Sequence, residues 1–102
     1  MNRNSNGYVP NPIDFSHIHL PKELAPLVEL IAEQVHETWA MGKMQSGFTF
    51  GELTDPVNKK HSCLKPFAEL SEEDASYDRE TAMATIKQLL ALGWTLTPPT
   101  ES

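Results

Sequence analysis

The sequence predicts a mainly α fold: two long amphipathic helices packed together, with an extended N-terminal arm and short β segments. Three observations carry this. Apolar residues recur at steps of three and four in two stretches, one over residues 22–44 and one between Ser71 and Gly93. Prolines crowd the segment ahead of the first stretch, and glycines, aromatics and turn residues fill the region between the two. The chain has 102 residues, enough for one domain with one modest core.

Residues 1–7 hold no core former and read as a flexible tail, residues 8–97 as a single domain, and residues 98–102, opened by Pro98-Pro99, as a second tail. Pro10 and Pro12 impose an extended path on the arm, where Phe15, Ile18 and Leu20 are apolar anchors that pack it onto the domain through at most a short β bridge. Pro21 suits a first helical position and Glu23 the positive end of the helix dipole. Leu24, Leu27, Val28, Ile31, Val35, Thr38 and Trp39 then form one apolar stripe, with Glu29, Glu33, His36 and Glu37 on the other side. Gly42 weakens the last turns, and Gln45-Ser46-Gly47 stops the helix.

Residues 45–70 read as irregular. Phe48-Thr49-Phe50 is a candidate short strand ended by Gly51, Asp55-Pro56 marks a turn, and Leu64, Phe67 and Leu70 are candidate core anchors. The second helix opens on a capping-box-like Ser71-Glu72-Glu73-Asp74, in which Ser71 can accept from the third N–H. Ala75, Ala82, Met83, Ile86, Leu89 and Leu90 supply its apolar stripe, and a break near Ser76–Asp78 is allowed for. Gly93 fits the left-handed residue after the helix, with Trp94 placed for the hydrophobic contact that follows it. Two such helices make a thin core, which self-association would enlarge.

Fourteen acids against eight bases give a net charge of −6, which disfavours general nucleic-acid binding. The lone Cys63 excludes an internal disulfide and a multi-cysteine zinc site. No run is apolar enough for a membrane span, and the opening residues lack the apolar core of a secretory leader, so a cytoplasmic location without membrane contact is expected.

Few constellations suggest chemistry. His17-Ile18-His19 has two imidazoles but no third ligand at fixed spacing, so these read as surface histidines rather than metal ligands. His61-Ser62-Cys63 pairs a thiol with a base but lacks an orienting group, which points to a structural role and not to catalysis. Glu33, His36 and Glu37 lie on consecutive turns, as solvated charges or as groups that polarise an imidazole. Residues 43–65 are more informative. Lys43, Lys59, Lys60 and Lys65 outnumber Glu52 and Asp55, a local +2 that leaves −8 on the rest of the chain. A basic loop beside Trp39, Phe48 and Phe50 could receive an anionic ligand with an aromatic body; the same residues also read as core aromatics and ordinary surface lysines.

Several of these residues also form an ordered set of motifs. Tyr8-Val9-Pro10-Asn11-Pro12-Ile13-Asp14, continuing through Leu20-Pro21, resembles the opening of the repeat domain of ryanodine receptors, the RyR domain. Ala32-Glu33-Gln34-Val35-His36-Glu37-Thr38-Trp39-Ala40 is similar to its Ala-Glu-Asn-x-His-Glu-x-Trp-Ala, and Gly47-Phe48-Thr49-Phe50-Gly51 to its Gly-Trp-x-Tyr-Gly. Lys60-His61-Ser62-Cys63-Leu64-Lys65-Pro66-Phe67 resembles its Lys-x-His-Pro-x-Leu-x-Pro-Tyr region, and Tyr77-Asp78-Arg79 with Leu89-Leu90-Ala91-Leu92-Gly93-Trp94 its closing helix. The resemblance spans residues 8–94. Ser62 departs from the usual proline, and Phe48 and Phe50 from Trp and Tyr, which removes polar handles from both rings.

A lone repeat without a channel resembles stand-alone bacterial or phage members of the family. The resemblance implies a non-enzymatic, ligand-sensing module without a cofactor, in which Trp39 stacks on an adenine nucleotide or related small molecule. His36 and Lys43 would lie beside it, and Arg79 would be a further anion contact or an ion pair with Glu33 or Asp74. The tandem pairs of the channels imply, by analogy, a homodimer that mimics the repeat pair. The alternative is a protein–protein interaction or scaffold module with no small ligand, in which Trp39 and the aromatic loop bury against another chain.

Overall fold

A 3₁₀ turn at Lys22–Leu24 runs into helix α1 (Ala25–Gln45) in a computed structural model that describes residues 5–99. Of the two expected tails, residues 1–4 and 100–102 lie outside the described residues. Pro26 sits in the first turn of α1, where its missing N–H would have had no helical acceptor. The buried row of α1 is Leu24, Val28, Ala32 and His36, each four residues from the last. This corrects the sequence reading, which put His36 on the polar side and Leu27 in the stripe; Leu27 is 36% exposed. The reason lies in side-chain size. Ala32 and Ala82 of the second helix are both fully buried, and such small residues let two helix backbones approach along the row that contains them.

Both helices end in the same way. Gly47, at φ 94°, follows α1; its N–H donates to the Met44 carbonyl, and the Phe48 N–H reaches the Lys43 carbonyl at 3.0 Å. Helix α2 (Glu72–Ala91) is followed by Gly93 at φ 96°, with Gly93 N–H on the Leu90 carbonyl and Trp94 N–H on the Leu89 carbonyl. These are paired Schellman closures, and a left-handed residue is what each requires. At the start of α2 the Ser71 hydroxyl accepts from the Asp74 N–H at 3.1 Å, the cap the sequence indicates. The helix runs unbroken through Ser76–Asp78.

Between the helices lies a small parallel sheet. Strand β1 (Thr49–Phe50) pairs with β2 (Lys60–His61), Thr49 opposite Lys60 and Phe50 opposite His61. The sequence indicates β1 but not its partner. A turn over Pro56–Lys59 and an antiparallel bridge from Asp55 to Lys60 bring the chain back. A Cβ on Gly51 would stand 2.8 Å from the Lys60 Cβ, so the crossover has room only for hydrogen there. A second 3₁₀ turn, Phe67–Glu69, inserts Phe67 into the core.

The core comprises Leu24, Val28, Ala32, Phe67, Ala75, Ala82 and Ile86, with Leu20, Ile31, Leu70, Leu90 and Leu96 packed at its margin. Phe67 and Leu70 thus serve as the anchors expected of the loop. The arm contains no strand or β bridge among the described residues; Phe15 and Ile18 are half-buried, while Tyr8 and Ile13 stay exposed. Trp94 is 67% exposed and anchors nothing in the core. Among the described residues no helix is long and apolar enough to cross a membrane.

Candidate functional site

The buried rows of the two helices turn polar at one place. On α1 the row Leu24-Val28-Ala32 continues to His36, and on α2 the row Ile86-Ala82 continues back to Asp78 and Asp74. His36 is only 3% exposed, and its burial is sustained by a hydrogen bond from Nε2 to the Lys65 carbonyl at 2.7 Å. Pro66 biases Lys65 to extended backbone, and the Lys65 N–H is itself held by the Cys63 carbonyl at 2.9 Å, so the acceptor is fixed in place. With Nε2 donating, Nδ1 faces Asp78, whose Oδ2 lies 3.6 Å away.

Above this pair a cleft of about 340 Å³ opens, lined by His36, Trp39, His61 and Cys63 on one side and Asp74, Tyr77 and Asp78 of α2 on the other. Trp39 is half-buried at its rim. The His36 ring stacks near the indole at 5.6 Å and 29°, and the His61 ring meets it edge-on at 4.8 Å and 75°. The sheet therefore has a role in the site: β2 delivers His61 against Trp39. The far side of the indole borders a groove with Ile31, Gln34, Val35 and Thr38.

Electrostatically the cleft is acidic. Its lining contains two aspartates and neither lysine nor arginine. Burial raises the Asp78 carboxyl above its ordinary range, with the Asp74 charge pushing the same way and His36 opposing. Burial, aided by the Lys43 ammonium, holds the His61 imidazole below its usual value. His61 Nδ1 accepts the Cys63 backbone N–H at 3.0 Å, which leaves the ring proton on Nε2 in the neutral form. Burial and Asp74 push the Cys63 thiol up, so the sulfur stays protonated at neutral pH.

Of the four residues expected to hold a ligand, Trp39 and His36 line this cleft together and Lys43 and Arg79 do not. The Lys43 ammonium lies over the Phe48 ring, 4.6 Å from its centroid. Arg79 forms a two-pronged pair with Glu29 at 2.8 and 2.9 Å, reaches Glu72 at 3.3 Å, and covers the Phe67 ring. An ion pair at Arg79 was the alternative the sequence allowed, but its partners are Glu29 and Glu72, not Glu33 or Asp74. Two other lysines of the basic loop are also engaged: Lys59 Nζ donates to the Ser46 carbonyl and Lys60 Nζ to the Thr49 hydroxyl, both at 2.8 Å.

Sequence reasoning missed His61, Asp74, Tyr77 and Asp78 as site residues. The available signal was spacing: Asp74 and Asp78 stand four and eight residues before Ala82, on the row that Ala82 and Ile86 bury. Glu33 and Glu37 are exposed while His36 is buried, so the three form no joint site, and no group of three His, Cys, Asp or Glu among the described residues could hold a metal ion. Ser62, where the repeat usually has proline, donates its N–H to the Thr54 hydroxyl at 3.1 Å, a bond proline could not make.

The fold and the cleft define a small, mainly α domain built on a helix pair, with an aromatic pocket where the pair turns polar. Comparison with known families matches residues 8–98 to the RyR domain, and the chain belongs to that family.

Proposed function

We propose that this RyR domain is a non-enzymatic ligand-sensing module whose cleft takes the flat ring of a small molecule, an adenine nucleotide or a related compound, against Trp39. The observation that carries the reading is the position of that indole: braced by His36 and His61 on one side of a cleft of about 340 Å³, and neither sealed in the core nor loose on the surface. A cavity of that size falls at the lower end of small-molecule sites and accommodates a heteroaromatic ring. The absence of catalysis is supported by the same groups. The Cys63 thiol is held protonated, and His61 spends Nδ1 on a backbone N–H, which leaves this thiol without an activating base.

Isothermal titration with ATP, ADP, cyclic nucleotides and ADP-ribose tests the reading. Saturable heat is expected from at least one of them, and its loss in Trp39→Ala, with circular dichroism unchanged, assigns it to the cleft. No heat at millimolar ligand contradicts it.

One observation favours an interaction role besides. Leu27, Leu30, Ile31, Val35 and Met41 form an apolar stripe on α1, bordered by Glu23 and Glu37, with Leu30 60% and Met41 62% exposed. The occupant we propose is a second copy of the chain, since the core it would extend is thin.

A further inference from the structure

Stacking on Trp39 leaves part of the cleft without a role. Asp74 and Asp78, one turn apart on α2, both face the space beside the indole. The Asp78 carboxylate receives no hydrogen bond from any described residue; its nearest cationic candidate, His36 Nδ1, is 3.6 Å away. An acceptor in that position, only 17% exposed, gains most from a donor that arrives with a ligand. Among the described residues no lysine or arginine lines the cleft to receive a phosphate. Lys43 sits on Phe48, Lys59 and Lys60 hold loop oxygens, and Arg79 is paired twice.

We propose that Asp74 and Asp78 are the specificity residues of this cleft: they accept hydrogen bonds from the N–H groups of an aminated heterocycle, which enters ring first and leaves any phosphate outside. The inference rests on the ring-binding reading above and adds which ring is chosen. Two carboxylates beside the indole match the exocyclic amine of adenine and oppose the carbonyl oxygen that hypoxanthine carries at the same position. They also repel phosphate oxygens, so the nucleoside binds at least as well as its triphosphate.

The experiment is calorimetric titration of the full chain with adenosine, inosine, AMP and ATP, repeated on Asp78→Asn and Asp74→Asn. Adenosine is expected to bind at least about tenfold more tightly than inosine and no more weakly than ATP, a modest ratio for a site that remains partly open to water. Asp78→Asn, which exchanges one acceptor for a donor, is expected to bring adenosine and inosine within about threefold of each other. Equal affinities for adenosine and inosine in the wild type, or a triphosphate about tenfold tighter than the nucleoside, overturn the assignment. If such binding is still lost in Trp39→Ala, the stacking reading survives alone; silence from all four compounds removes both.

Discussion

His36 is a costly residue to place between two helices, and what keeps it there is one carbonyl. Truncation in His36→Ala removes a buried ring and leaves the Lys65 oxygen without its donor. A loss of about 2–4 kcal/mol in urea unfolding is expected. A loss under about 0.5 kcal/mol, the range of an ordinary surface substitution, would show that the hydrogen bond is not formed. His61 differs, because it titrates. Its folded-state pKa lies below the unfolded value of 6.5, so the unfolded chain binds the extra proton as pH falls. The stability it contributes is fully present above that value and is lost as pH drops through the folded pKa. The urea midpoint should therefore fall between pH 7.5 and pH 6, and fall less in His61→Gln; an equal fall in both would rule His61 out as the cause. Arg79→Gln should weaken the fold slightly and in a salt-sensitive way while leaving ligand affinity unchanged, since the guanidinium is engaged by Glu29 and Glu72 outside the cleft.

At the scale of elements, the ends of the helices are as determinate as their interiors. Ser71→Ala removes the N-terminal cap of α2 and should cost about 1 kcal/mol in thermal or urea unfolding. Gly93→Ala should cost a similar amount, about 1 kcal/mol, by backbone conformation alone, because open space surrounds that position. Equal stability of either variant and wild type would contradict the cap or the left-handed closure. Gly51→Ala acts differently, by driving a methyl group into Lys60 and loosening the strand that carries His61. These elements were legible to unequal degrees. Both helices could be read because apolar period and closing glycine agree over about twenty residues each, joined in α2 by the capping Ser71. The sheet could not, because strands of two residues show no alternation, and the partner of Thr49–Phe50 lies beyond a turn that only the folded chain brings back. The cleft was half legible. Trp39 stands out by type, but Asp74 has the pattern of a helix-end charge, and the loop lysines stand out by sign although each of Lys43, Lys59 and Lys60 is satisfied by its own neighbourhood. The sequence sets His36 beside Trp39 but on the polar face, because its apolar stripe runs through the largest residues while the packing follows Ala32 and Ala82.

At the scale of the molecule, seven buried apolar side chains among the described residues support two helices, an arm and a loop. The Cα radius of gyration of 16.7 Å exceeds the roughly 13 Å usual for a compact domain of this length. A surface of that extent, with an apolar stripe along α1, should self-associate at high concentration. Sedimentation equilibrium at high micromolar protein is expected to show dimer in the wild type and monomer in Leu30→Glu; monomer in both would remove the proposed second copy. Trp39 lines both the cleft and the groove it forms with Ile31 and Val35 of that stripe, so occupancy of one is expected to be felt at the other.

The most direct measurement exploits the presence of only two tryptophans, Trp39 and Trp94. In Trp94→Phe, which alters a residue 67% exposed, all indole emission comes from Trp39. Titration with adenosine should quench that emission saturably, with the same affinity that calorimetry gives. Emission unchanged by adenosine and by ATP at millimolar concentration would contradict the stacking role on which the proposed function depends.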